Sequence, residues 1–317
     1  MEDDSIKGRS SAWDVSTPEM KTNGRHRLLL DVSSLTYRAY FALRDGPFTA
    51  DGRPVGAVHG YLDMVARLAA TRRPDEIVHV YDHEWRPVAR TQIYAGYKAA
   101  RAPEPEDLGP QFKMIRRVLD ATDMLQAQTE GWEAEDAIGA FCLDAREDDL
   151  VEIVSGDRDL IQLVRDPVVR LLFTVRGVTD LLEFDEATVL AKYGVPASSY
   201  GEFAILRGDP SDGLPGVRGV GEKTARDLIT GFGSIEAILG AAVAGDARIK
   251  PATRARLLEA RGYLDDMQRL VPVNADAPLS VWAGEHDVAE ATRIAAELGV
   301  KGPLQRLQAA LDSARGA

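Results

Sequence analysis

Two hydrophobic periods alternate along the first 184 residues. Residues 27–31 (RLLLD), 76–82 (EIVHVYD) and 150–154 are short apolar runs of buried-strand character, whereas 33–43, 58–70, 108–121 and 132–146 repeat apolar side chains at helical spacing. Segments 168–173 and 179–184 flank Arg176 and Gly177 as the arms of a hairpin. From residue 185 onward the pattern is mostly helical, interrupted by glycine-rich stretches at 208–221 and 231–233. Strands alternating with helices and followed by a helical tail predict an α/β fold. A parallel-type central sheet would occupy 26–184, and a helical domain 185–317. The stretch 84–107 is basic and then proline-broken (RAPEPED), which predicts a solvent-exposed excursion. Residues 1–25 are polar and acidic without an apolar centre, and are expected to be a disordered leader rather than a secretory signal.

Composition changes this picture little. The chain is 45% hydrophobic and 28% charged, ordinary for a globular protein. No apolar run approaches the ~20 residues of a membrane span, so no membrane partner is expected. The single cysteine, Cys142, excludes an intrachain disulfide framework or a cysteine-based zinc cluster, and points to a reducing, cytoplasmic setting. A formal net charge of −12 argues against a nucleic-acid partner until the charge is located. Part of it lies in acids that bound cations would offset. Residues 85–102 carry Arg86, Arg90, Lys98 and Arg101 with no acid at all.

Three expected strands each deliver aspartate at their carboxyl end: Asp31, Asp82, and Asp157 with Asp159. Ligands of parallel α/β sheets bind beyond those ends, at the switch point of the topology. Acids gathered there repel one another unless a cation intervenes. Oxygen-only donors favour Mg²⁺ or Mn²⁺ over zinc. Glu133 and Asp136 share a helix face, Glu135 lies about 100° round from Asp136, and Asp209 and Asp212 sit in the loop RGDPSDGLPG. Carboxylate pairs around two cations are what in-line phosphodiester hydrolysis requires. Each acid alone has a simpler reading as a helix cap or turn residue. Convergence from separate segments is what favours a metal site.

Arg86, Arg90, Tyr94, Tyr97, Lys98 and Arg101 interleave cations with aromatics, the pattern that holds single strands by phosphate contact and base stacking. The segment GVRGVGEKTARDLI looks like a P-loop, but Glu222 separates Gly221 from Lys223 and Thr224, and no apolar strand precedes it. It reads better as a hairpin between helices. There Gly216, Gly219 and Gly221 would let backbone N–H groups face a phosphate, with Lys223 and Arg226 on the first turns.

In order, LLLDVSSLTYRAYFAL, VYDHEWRPVARTQIYAGYKAARAPEPEDL, GWEAEDAIGA, SGDRDLIQL and RGDPSDGLPGVRGVGEKTA resemble the bacterial 5′-nuclease (flap endonuclease) family, which includes the 5′-nuclease domain of DNA polymerase I. The resemblance covers nearly all of the chain beyond the leader. It implies a PIN-like core, a helical arch at about 84–107, and a helix–three-turn–helix element at about 200–240. Carried over by position, Asp31, Asp82, Glu133, Glu135, Asp136, Asp157, Asp159, Asp209 and Asp212 match metal carboxylates of the family. Arg38, Lys98 and Arg101 match basic residues near the scissile phosphate. The hairpin matches an element that grips duplex DNA, often with a monovalent cation such as K⁺ on its carbonyls. The implied activity is 5′-flap endonuclease and 5′→3′ exonuclease action in primer removal and repair. Its substrate would be DNA with a 5′ flap, nick or free 5′ end, including RNA-primed ends. The chain is expected to be a monomeric, free-standing nuclease of the nucleoid. Three positions depart from the family pattern: Glu135 stands in place of Asp, Gly213 in place of Asn, and Val32 in place of Gly. A PIN-type ribonuclease and an inactive DNA-binding paralogue are the alternative readings.

Overall fold

The computed structural model describes residues 24–315, so most of the expected leader lies outside the described residues. Its centre is a seven-stranded sheet in the order β6-β5-β4-β1-β2-β3-β7. Strands β1 (His26–Asp31), β2 (Glu76–Val80), β3 (Leu125–Thr129), β4 (Leu150–Ser155) and β5 (Val169–Arg176) run parallel. The edge strands β6 (Asp180–Phe184) and β7 (Leu279–Ala283) are antiparallel to their neighbours. Because β1 pairs with β2 on one side and β4 on the other, the chain reverses direction of growth at β1/β4. A crevice opens there, beyond the strand carboxyl ends.

Side-chain alternation along β1 divides the core. Leu29 faces one apolar cluster, and Leu28 and Leu30 the other. Helices α1 (Val32–Ala42), α2 (Gly56–Arg72) and α4 (Leu108–Asp120) cover the second face. On the first face lies α5 (Ala134–Asp144), while the short α3 (Val88–Ile93) packs against α11. The first cluster continues without a break into the helical part: α6 (Glu186–Tyr193), α7 (Tyr200–Arg207), α8 (Glu222–Phe232), α9 (Ile235–Ala244), α10 (Pro251–Glu259) and α11 (Arg261–Leu270). The sheet and this helical part therefore share one core.

Two strands run counter to the sequence reading. β3 (LQAQT) lacks an apolar pattern, yet Gln126 is wholly buried, donating to Asp120 (2.9 Å) and accepting from the Tyr81 hydroxyl (3.0 Å). β7 lies within the stretch expected to be helical and pairs with β3. After it, α12 (Val288–Leu298) and α13 (Lys301–Arg315) return to the α2 and α4 face, where Leu298, Leu307 and Leu311 are buried. Residues 279–315 thus pack with the sheet rather than with the preceding helices, because apolar surface on α2 and α4 needs a cover.

At the opposite end of the sheet Glu152 is buried beneath Arg72 and His26. It accepts from the Arg72 guanidinium through both oxygens, and lies 2.8 Å from His26 Nε2. Burial alone would raise this carboxyl, but hydrogen bonds from His26 and Arg72, and their charge, hold it below its ordinary range. A depressed carboxylate stabilises the fold above the ordinary carboxylate range, and that contribution is lost as pH falls through the lowered value. Glu152→Ala leaves Arg72 without its buried partner and is expected to cost about 3 kcal/mol at neutral pH. Urea unfolding should show that difference narrowing in acid. A difference independent of pH would contradict it.

Candidate functional site

The crevice is a cleft of about 1500 Å³. The acids on it are delivered by several separate stretches of backbone. Asp31 ends β1 and caps α1, its Oδ1 accepting from Ser34 N (2.9 Å) while Oδ2 accepts from the Ser155 hydroxyl (2.6 Å). The capping and site readings of this residue therefore coexist. Asp82 follows β2 and accepts from the Ser33 hydroxyl and from Ala134 N (2.8 Å), which ties β2 to the start of α5. Asp157 follows β4 and accepts from Asp159 N (2.9 Å). Glu133, the N-cap, and Glu135 come from the start of α5, and Asp209 from the loop after α7, where Ser211 N (2.9 Å) and Oγ (2.5 Å) donate to it.

Electrostatically the rim is overcharged. Burial, then the charge of Asp82, raises Asp31 to about 7, and burial, then Glu135, raises Asp157 to about 6. Asp159 is pushed well up by burial and by Asp157, Glu135, Asp212 and Asp209, so these acids sense one another across the site. Among the described residues no three such groups are drawn into a closed coordination cluster. The donors are nonetheless all carboxylate oxygens held against mutual repulsion, and hard divalent cations fit such a set.

Several expected roles change. Asp136 does not face the cleft. It is wholly buried, closes a capping box with Glu133, and accepts from Asn274 N (2.8 Å) and Arg90 Nη2 (2.8 Å). Arg90, expected on a DNA-binding excursion, is 2% exposed and lies among Glu133, Glu135 and Asp136. Tyr97, expected to stack a base, is buried and donates to Glu133 (2.7 Å), and Tyr94 is half-buried against the core. Arg86 is spent on the carbonyls of Tyr97 (2.8 Å) and Ala95 (2.7 Å). Residues 86–98 are therefore anchored rather than free, because Glu133, Glu135 and Asp136 draw Arg90 and Lys98 inward, whereas residues 99–104 are exposed as expected.

Lys98 and Arg101 do line the cleft, Lys98 paired with Glu133 and Arg101 with Asp212 (2.6 Å). Lys98 N donates to Asp212 O (2.9 Å), and its φ of 53° fixes the turn. Arg38 lies across Gly156 and donates to Val175 O (3.2 Å). Lys113, Arg116 and Arg158 also line the cleft and were missed. The spacing of Lys113 and Arg116, three apart on α4, was the available signal. Arg116 lies over the rings of Tyr81 (5.1 Å) and Trp282 (4.8 Å), a contact β7 makes possible.

In the hairpin between α7 and α8, Gly216 has φ 69° and its N–H donates to the Tyr263 hydroxyl (3.1 Å), so it faces inward rather than outward. Arg226 donates to Tyr193 O (2.6 Å) and pairs with Glu222 (2.8 Å), which ties it to the fold. Gly219 has φ 71° and is exposed, as are Arg218, Gly221 and Lys223, while Thr224 is half-buried. Gly221 provides no side-chain cap for α8.

Acids on the switch-point rim of a parallel sheet, faced by cations, define an α/β nuclease. The model for the 5′-3′ exonuclease N-terminal resolvase-like domain matches residues 26–194, and that for the 5′-3′ exonuclease C-terminal SAM fold matches 195–293. The chain belongs to the 5′-3′ exonuclease family. It is 43% identical to a 5′-3′ exonuclease of Streptomyces coelicolor over 88% of this chain and 98% of the relative. A second, from Mycobacterium tuberculosis, is 38% identical over 91% and 98%. The fold resembles that of the bacteriophage T5 flap endonuclease solved with DNA and metal ions, with a TM-score of 0.62 and 18% identity over 92% of this chain and 100% of that one.

The Gly213 departure has a local cause. Its φ is 74°, and a Cβ there would stand 2.5 Å from Gly96 O, where the 209–214 loop meets the basic segment. Gly213→Ala is expected to lose about 2 kcal/mol from the combined left-handed strain and overpacking. Gly221→Ala, at ordinary φ with open space around it, should be near neutral. Equal melting temperatures for the two variants would sink the close-contact explanation.

Proposed function

We propose that the protein is a structure-specific 5′-nuclease that hydrolyses DNA phosphodiesters at 5′ flaps, nicks and free 5′ ends with the help of divalent cations. The observation that carries this reading is the convergence of Asp31, Asp82, Glu135, Asp157 and Asp209 on one cleft whose walls bear Arg38, Lys98, Arg101, Lys113 and Arg116. The named 5′-3′ exonucleases above, and the DNA and metal ions in the T5 structure, support it. Asp31, Asp82, Glu135, Asp157, Asp159 and Asp209 would hold Mg²⁺ or Mn²⁺. When bound, such ions lower the pKa of the attacking water and stabilise the leaving oxygen.

The chain's own groups do the rest. Arg38 presents a planar guanidinium beside Asp31, suited to a phosphate. Lys98 and Arg101, paired with acids in the free protein, neutralise phosphate charge near the cut. At the hairpin, the uncapped first turn of α8, Lys223 and Arg218 meet duplex backbone phosphates, with K⁺ on the hairpin carbonyls as part of the same reading. Primer removal and repair in the nucleoid would be the setting.

A 5′-flap duplex and a single-stranded RNA, each with Mg²⁺, Mn²⁺ or chelator, separate this reading from a PIN-type ribonuclease. The flap is expected to be cut with metal only and the RNA left intact; RNA cleavage with an intact flap would overturn it. Asp157→Ala should lower cleavage by several orders of magnitude while duplex binding persists. A folded variant that loses both would count against a metal-holding role. Lys223→Ala should weaken duplex binding alike for unrelated sequences and flatten the salt slope by about one. A sequence-dependent defect would contradict backbone contact.

A further inference from the structure

Arg90 has no view of the cleft and makes more ionic contacts than any other cation described above. Its Nη1 meets Glu133 Oε2 and Glu135 Oε1 (2.6 Å), its Nη2 meets Asp136 Oδ1 (2.8 Å), and its Nε donates to Leu270 O (3.3 Å). The rings of Trp132 (5.7 Å) and Tyr97 (5.9 Å) lie close to the guanidinium. Every edge of the planar fork is thus used, and its position is dictated from both sides. The wall behind it is rigid as well. A Cβ on Gly139 of α5 would stand 2.3 Å from Val273, so the chain leaving α11 lies directly on α5. Asn274 N fixes Asp136 from that same segment.

We propose that Arg90 is a positioning residue for the acidic rim: it sets the carboxylates of Glu133 and Glu135 on the wall of the cleft, and it does not touch DNA. Three acids at the N-terminus of α5 would otherwise splay apart by mutual repulsion. A fixed fork that joins them, and is itself fixed to a helix-end carbonyl, holds the first turn with two carboxylates still on the cleft wall. Outer contacts of this kind tune a metal site by orienting its ligands. Lysine, a point charge with a single ammonium, cannot span the same set.

This inference rests on the proposed metal site, so its test reads metal binding directly. Free Mn²⁺ is followed by electron paramagnetic resonance during titration of wild-type protein, Arg90→Lys and Arg90→Met without DNA. The methionine variant keeps an aliphatic stem between the two rings. Duplex affinity is measured in chelator, and folding by circular dichroism. Both variants are expected to fold, to bind duplex in chelator as wild type does, and to bind Mn²⁺ about 10–100-fold more weakly. Wild-type Mn²⁺ affinity in either folded variant overturns the proposal. So does a loss of duplex affinity in chelator with Mn²⁺ binding intact, which would return Arg90 to DNA contact. If both variants fail to fold, Arg90 is a stability residue and the proposal also falls. Wild-type protein that binds no Mn²⁺ removes the metal site itself, an outcome distinct from failure of the Arg90 role.

Discussion

Like charge confined to one crevice is the constraint on which the remaining structure depends. Two carboxylates about 4 Å apart repel by roughly 4 kcal/mol near a protein surface, and this rim gathers several of them around a single cleft. The fold answers in two ways. Hydroxyl and backbone donors, such as Ser155 on Asp31 and Ala134 N on Asp82, hold individual acids in place. Cations from one short segment, Arg90, Lys98 and Arg101, then engage Glu133, Glu135, Asp136 and Asp212. That segment is folded down for this reason. Its tyrosine follows, since a hydroxyl on Glu133 and a ring beside two cations suit Tyr97 better in the core than in solvent.

The same balance bears on how an acidic protein could meet nucleic acid. A net charge of −12 would repel nucleic acid if it were spread evenly. Around the cleft, Lys113, Arg116 and Arg158 join Arg38, Lys98 and Arg101 among the acids, so the charge on its walls is mixed rather than uniformly acidic. Arg116 is held over Tyr81 and Trp282, which keeps its charge at the wall and limits its freedom to fold away.

What the sequence revealed, and what it hid, follows from the kind of signal each residue leaves. RLLLD and EIVHVYD announce a buried strand and the acid that ends it, because strand burial and the position of the acid are both local properties. β3 leaves no such trace: its buried Gln126 depends on Tyr81, a partner distant in sequence, and on Asp120 at the end of α4. β7 exists because β3 offers an edge to it. Arg90 carries the sequence signature of an exposed cation, because charge in a sequence bears no mark of burial. Asp136 shows the opposite fault, since the Glu133-to-Asp136 spacing that put it on the rim is also that of a capping box, and the box is what forms. Gly213 reads as a missing asparagine until the backbone of Gly96 is seen against it.

One helix ties the two halves of the site together. α11 begins near Tyr263, whose hydroxyl receives Gly216 N and donates to Ile205 O (3.2 Å), and so braces the hairpin. It ends at Leu270, whose carbonyl receives Arg90. Seven residues of α-helix span about 10 Å and hardly stretch. The hairpin and the acidic rim are therefore held at a set separation by a single rigid element, with one continuous apolar core beneath both. A duplex gripped at the hairpin would reach the rim at a fixed offset, without any contact that reads its bases. That separation is fixed by the length of α11 and by the arginine and tyrosine contacts at its two ends.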